Sequence, residues 1–134
     1  MITAVDTNVL LDVFLPDPQW GEQSFRALEA AYDQGALVIC TIVYAELVPQ
    51  FVDRLLLDDA LHKIKCTIEP PDRDCAYVAG ERWGLYRSHG GKRERIITDF
   101  IIGAHALKRA DRFLTRDRGF YSQYFKELPL FIAP

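Results

Sequence analysis

With 134 residues, 49% hydrophobic and 26% charged, the chain has the size and balance of one globular domain, residues 1–134, with no room for a second catalytic unit. No basic stretch followed by a long apolar segment opens it, and no run approaches the ~18 apolar residues of a membrane span, so the expected partners exclude a membrane and the expected compartment is the cytoplasm. The net charge of −3 argues against a nucleic-acid binder, but the sum hides an asymmetry: Arg82 to Arg118 holds ten Lys/Arg against four Asp/Glu, and the rest holds six against fifteen.

In chain order, the short apolar runs "ITAVD" (2–6), "ALVICT" (36–41), "KCTIE" (65–69), "RFLTRD" (112–117) and "LPLFIA" (128–133) are the strand candidates. Between the first two, Phe25, Leu28, Ala31 and Tyr32 recur at helical spacing, and Gly35 stands where a C-cap glycine is common. Thr41 is a fitting N-cap for "IVYAELVPQFVDRLLLDDALHKI", which reads as one helix interrupted near Pro49 or as two in succession. A further helix is expected from about Asp72 to Arg87. The loop "SHGGKRE" follows, and Thr98 can cap the helix "DFIIGAHALKRA". Strands alternating with helices predict an α/β fold with a mainly parallel sheet flanked by helices on both faces. No P-loop, G-x-G-x-x-G, repeat or linker is present. Cys40, Cys66 and Cys75 lack the close pairing of zinc ligands and read as buried thiols.

Four acids occupy positions that local structure explains poorly. Asp6 ends the first apolar run, Glu46 lies early in the helix after the second, Asp99 follows Thr98, and Asp117 ends "RFLT". In parallel sheets, ligands gather at the carboxyl ends of strands. If the first and fourth strands are neighbours, Asp6 and Asp117 stand about 5 Å apart, where two ionised carboxylates repel unless a cation neutralises them. An all-oxygen cluster favours Mg²⁺ or Mn²⁺ over zinc, and one or two such ions support water-driven cleavage of a phosphodiester. Singly, each acid has an ordinary explanation: a helix-dipole partner at Asp99, a turn at Asp117, a solvated helix position at Glu46. Asp12 is expected to face solvent or cap local structure and His105 to be packed, neither as a ligand.

"VDTNVLLD", Glu46 in "VYAEL", "TDFIIGAHAL" and "FLTRDRGF" together resemble the four acidic motifs of the PIN domain, especially the VapC-like toxins of toxin–antitoxin pairs, over Ile2 to about Phe120. The resemblance implies a PIN-like fold with a five-stranded sheet and a Mg²⁺- or Mn²⁺-dependent endoribonuclease. Its catalytic acids would be Asp6, Glu46, Asp99 and Asp117, with Asn8 and Thr115 as polar supports. Asp6, Asp99 and Asp117 would hold the metal directly and Glu46 through a water. Lys92, Arg93, Arg95, Arg116 and Arg118 are the candidate contacts to RNA phosphates. The implied partners are an RNA substrate, a cognate antitoxin and a second copy of the chain in a homodimer. Apolar side chains at Trp20, Phe51 and Leu55 to Leu57 are the expected flank of an antitoxin groove. The alternative is a non-catalytic PIN-fold RNA-binding or interaction module, which presence of all four acids disfavours. A flap-type DNase ranks third, because it needs more acids and a longer chain.

Overall fold

The computed structural model describes residues 1–90 and 95–131. Five strands, β1 (Ile2–Val5), β2 (Ala36–Cys40), β3 (Cys66–Glu69), β4 (Arg112–Leu114) and β5 (Leu130–Phe131), form one sheet in the order β3-β2-β1-β4-β5, and each pairing is parallel. Seven α-helices among the described residues connect them: α1 (Thr7–Phe14), α2 (Gly21–Gln34), α3 (Thr41–Leu47), α4 (Arg54–Lys63), α5 (Arg73–Ser88), α6 (Ile97–Arg109) and α7 (Arg118–Tyr124). This is the expected α/β architecture. From β1 the chain moves outward through β2 and β3, then returns to the other side of β1 for β4 and β5. Because parallel crossovers are right-handed, the reversal sets the two groups of helices on opposite faces of the sheet. It also makes the carboxyl ends of β1 and β4 the switch point of the sheet, where parallel α/β folds gather their ligands.

The core is built where apolar runs meet the sheet. Val5, Leu37, Ile39 and Phe113 are buried on the strands, with Leu10, Leu47, Phe100 and Phe125 packed against them. Phe100 of α6, Phe120 and Tyr124 of α7 and Tyr86 of α5 form an edge-to-face aromatic group. Such ring pairs add about 0.5–1.5 kcal/mol each beyond simple burial, which helps to fix three helices on one another. Gly103 allows a close helix approach: a Cβ there would lie 2.7 Å from the Phe125 ring. Gly35, after α2, meets the amino end of β1 so closely that a Cβ would stand 1.9 Å from the Met1 carbonyl oxygen.

Several elements depart from their sequence expectations. Strands β1, β2 and β4 end sooner than their apolar runs, because Asp6, Thr41 and Thr115 already turn the chain out of the ladder. Residues 132 and 133 of the expected last strand lie outside the described residues. The segment around Pro49 resolves into two helices, α3 and α4, joined through a single 3₁₀ turn at Val48–Gln50. That is where proline, lacking an amide hydrogen, is tolerated at a helical start. Asp53 restarts the chain as the N-cap of α4 by accepting from the Leu56 amide at 2.9 Å, and Asp72 caps α5 in the same way through Cys75. Thr41 and Thr98 lie inside their helices, after Cys40 and Ile96. The buried stripe of α2 is Ser24, Ala27, Leu28 and Ala31, leaving Phe25 and Tyr32 exposed. Helices α1 and α7 are additional to the elements expected from sequence, being only eight and seven residues long and so too short for a sustained helical periodicity.

Cys40 and Cys75 are buried and Cys66 partly so, all as free thiols. Burial pushes all three thiols up, Cys66 to about 12. His105 is packed as expected, and burial lowers its pKa. No helix of the described residues is long and apolar enough to cross a membrane.

Candidate functional site

Asp6 directly follows β1 and is 7% exposed. Its Oδ1 accepts from the Thr7 amide at 2.8 Å, which makes it the N-cap of α1. Its Oδ2 accepts from the Thr115 hydroxyl at 2.7 Å and from Asn8 Nδ2 at 3.3 Å. The ladder explains the first of these Oδ2 contacts. Val5 is level with Leu114, and the Asp6 amide donates to the Leu114 carbonyl at 2.9 Å, so Thr115 is the residue beside Asp6 across the strand ends. Asp117 stands two residues further out, which corrects the expectation that it would be the immediate neighbour. Thr115 links the two acids: its hydroxyl donates to Asp6 and accepts from the Asp117 amide at 3.0 Å. Burial pushes the Asp6 carboxyl up to about 6, the hydrogen bonds from Thr115 and Thr7 oppose the rise, and the charges of Glu46 and Asp117 add to it. The rise was expected from carboxylate repulsion, but desolvation is its larger cause.

The other acids arrive from separate elements. Glu46, on α3, accepts from the Thr7 hydroxyl at 2.6 Å, which brings α3 to the start of α1. Asp99 is the third residue of α6, where its Oδ2 accepts from the Ile96 amide at 3.2 Å and meets the positive end of the helix. Burial raises its pKa, partly offset by that hydrogen bond and by Arg95. Asp117 forms an ion pair with Arg95, both side chains being about three-tenths exposed. The Arg95 guanidinium lies over the Phe120 ring, 4.3 Å from its centroid.

The four acids therefore share one electrostatic neighbourhood, with Asp6 coupled to Glu46 and Asp117, and Asp117 coupled to Asp99. They do not close on one point: among the described residues, no group of three or more His, Cys, Asp or Glu side chains is arranged around a common cation position. Each carboxylate is instead turned to a protein donor: Asp6 to Thr7, Asn8 and Thr115, Glu46 to Thr7, Asp99 to Ile96, and Asp117 to Arg95. The donor set is nonetheless the all-oxygen kind that suits a hard divalent ion, and the desolvation of Asp6 gives a cation something to relieve.

Tyr121 stands beside these acids without having been expected there, and Asp12 departs from its expectation. Tyr121 of α7 is buried, its ring edge-on to Phe113 at 4.8 Å, and its hydroxyl donates to the Asp99 carbonyl at 3.3 Å. Burial and then the nearby acids Asp6, Asp99 and Asp117 push its phenol well up, so it remains a neutral donor. Asp12 is the clearer correction. It is buried rather than solvent-facing, receives the Ser24 hydroxyl at 2.6 Å, and is held by Arg116 through Nε at 2.6 Å and Nη2 at 3.0 Å. Arg116 also lies over Trp20, 4.9 Å from the ring centroid. On α1, Asp12 lies three residues after the buried Val9, the spacing that puts both on one face of the helix.

That pairing changes the set of cations expected to meet RNA. Arg116 is committed to Asp12, and Arg95 to Asp117. Arg118 is partly exposed at the start of α7. Lys92 and Arg93 lie outside the described residues. Of the apolar groove residues, Leu57 belongs to the core, whereas Leu55 and Leu56 are exposed together with Val52, and Phe51 packs edge-on against Phe14.

Four carboxylates from four segments thus share one neighbourhood around the carboxyl ends of β1 and β4, where the strand order of this α/β domain reverses. The chain belongs to the PIN domain family, whose model matches residues 3–126. In fold it is similar to VapBC2 from Rickettsia felis, solved bound to a promoter DNA fragment, with TM-score 0.71, 20% identity and 97% of each chain covered. It is also similar to FitAcB from Neisseria gonorrhoeae, with TM-score 0.68, 23% identity, and coverage of 99% of this chain and 98% of that one. VapBC-1 from nontypeable Haemophilus influenzae gives 0.72, 19%, and 97% and 96%. Comparison with curated proteins found no match.

Proposed function

We propose that this protein is a divalent-metal-dependent endoribonuclease acting in the cytoplasm as the toxin of a toxin–antitoxin pair. The observation that carries the reading is that Asp6, Glu46, Asp99 and Asp117 come from four separate segments into one electrostatic neighbourhood around the carboxyl ends of β1 and β4, with Asp6 desolvated. PIN domains are generally nucleases that use divalent metals, and the similar folds above come from toxin–antitoxin complexes.

Asp6, Asp99 and Asp117 would hold Mg²⁺ or Mn²⁺, with Glu46 at the rim. When bound, the ion supplies the Lewis acidity for activating water and stabilising the leaving oxygen. The protein's own contribution is orientation. Thr115 and Asn8 fix one Asp6 oxygen, and the Thr7 amide fixes the other. Thr7 hydroxyl holds Glu46 beside them, and Tyr121 braces the first turn of α6 that carries Asp99. Arg118, Lys92 and Arg93 are the proposed contacts to RNA phosphates. Single-stranded or looped RNA fits a strand-end site better than a continuous duplex does. The exposed Val52, Leu55 and Leu56 are offered as part of the antitoxin or homodimer surface.

The second reading is a PIN-fold RNA-binding module without catalysis, and the engagement of Asp117 by Arg95 favours it, because one acid is neutralised within the protein. Cleavage of a mixed RNA pool with Mg²⁺ or Mn²⁺, compared with excess EDTA and with Asp99→Asn, separates the two. Metal-dependent cleavage lost in the variant supports the nuclease. Cleavage that persists in EDTA refutes the metal mechanism, and RNA binding without cleavage selects the module.

A further inference from the structure

Arg95 joins two contacts in one side chain. Its guanidinium makes the ion pair with Asp117, and it lies face-on to Phe120, a largely buried ring of the aromatic group that fixes α7. It is also four residues before Asp99. The intervening backbone is pinned where the Ile96 amide donates to the Asp99 carboxylate. The charge of Arg95 acts on Asp99 as well as on Asp117. One cation is therefore held by the architecture itself against the outer two of the four acids. A planar guanidinium is suited to this double role of stacking and pairing in a way that a lysine ammonium is not.

We infer that Arg95 is a resident counter-ion of the acidic site: it occupies Asp117 when no metal is bound, competes with a divalent cation for that carboxylate, and is released from it when the cation enters. This inference rests on the metal-dependent reading of the site and adds its regulation. The same geometry explains why the acids do not converge on a common point, since the outermost carboxylate is turned to an internal cation. Metal entry then has two consequences for Arg95. It loses its carboxylate partner, and it stays stacked at the rim of the site on Phe120, where a free guanidinium is placed to meet a substrate phosphate. The site would thereby gain phosphate affinity only once it is loaded.

The test measures Mn²⁺ binding to the full chain without RNA, by the electron paramagnetic resonance signal of free Mn²⁺, at fixed ionic strength. For Arg95→Met, removal of a partly exposed competing ion pair should tighten Mn²⁺ binding about five- to tenfold. Arg95→Lys keeps the charge but loses the planar stack, and should fall between wild type and Arg95→Met. It also serves as the folded comparison if Arg95→Met is unstable. Lys63→Met makes the same change in net charge at the end of α4, on the approach to the amino end of β3, and should leave Mn²⁺ affinity unchanged. An Arg95→Met affinity equal to wild type, or equal tightening in Lys63→Met, overturns the counter-ion. Mn²⁺ binding that appears only in Arg95→Met supports it strongly. Failure of every variant to bind Mn²⁺ removes the metal-dependent reading and the counter-ion with it, whereas binding by wild type with no effect of Arg95 removes the counter-ion alone.

Discussion

Asp6→Asn should make the metal-free protein more stable at neutral pH while abolishing the proposed cleavage. In the folded chain the Asp6 carboxyl titrates near 6, against 3.8 for an unburdened aspartate, because burial disfavours its charge. The sign follows directly. A raised folded-state pKa means that the native state binds the proton more tightly, so the contribution is fully present below the unfolded value and is lost as pH rises toward 6. At pH 7 the ionised form therefore costs the native state about 3 kcal/mol, from roughly 2.2 pKa units at about 1.4 kcal/mol each. Asparagine removes that cost but cannot reproduce every hydrogen bond from Thr7, Asn8 and Thr115, and it brings an amide donor beside Asn8, an offset of about 1–2 kcal/mol. The expected net gain is about 1–2 kcal/mol. With an unfolding entropy near 0.3 kcal/mol/K for a chain this long, the midpoint should rise about 4–7 °C. Thermal melts by circular dichroism in EDTA, at neutral pH and near pH 4, provide the assay. The advantage should vanish at the acid end, where wild-type Asp6 is itself protonated. A variant that melts below wild type at neutral pH, or by the same margin at both pH values, would refute the desolvation argument and make Asp6 structural.

Asp12→Ala should destabilise by about 2–4 kcal/mol, because it strands Arg116 and leaves the Ser24 hydroxyl unpaired; the figure is kept below that of a fully buried pair since Arg116 is about one-third exposed. Urea unfolding checks it, and a loss under 1 kcal/mol would return Asp12 to the solvated position expected from sequence. Gly103→Ala should cost about 1–2 kcal/mol despite the better helix propensity of alanine, because the new methyl meets the buried Phe125 ring; a stabilised variant in the same assay would contradict the close packing. Lys92→Glu combined with Arg93→Glu should weaken RNA binding and lower the slope of log affinity against log salt by about 1–2, while Mn²⁺ binding stays intact. An unchanged slope would make those residues an ordinary solvated surface.

What the sequence determined by itself was the order of the strands and of the longer helices, and the identity of the unusual acids. Apolar runs of strand length, separated by helical periodicity and punctuated by Asp53, Asp72 and Pro49, carry that information locally. Each signal depends on residues within a turn or two of one another, so the α/β class and the stop at Asp6 were legible, whereas β4 ends at Leu114, before Asp117. Tertiary structure decided everything that depends on which distant side chain faces which. The β1–β4 register makes Thr115, rather than Asp117, the neighbour of Asp6. The packing of α1 against α2 turns Asp12 from a presumed surface acid into the buried partner of Arg116, 104 residues away. The stack on Phe120 commits Arg95 to Asp117 instead of leaving it among the surface cations. These pairings are long-range choices among chemically equivalent charges, settled by desolvation and geometry at the packed interface. No periodicity in the chain encodes them.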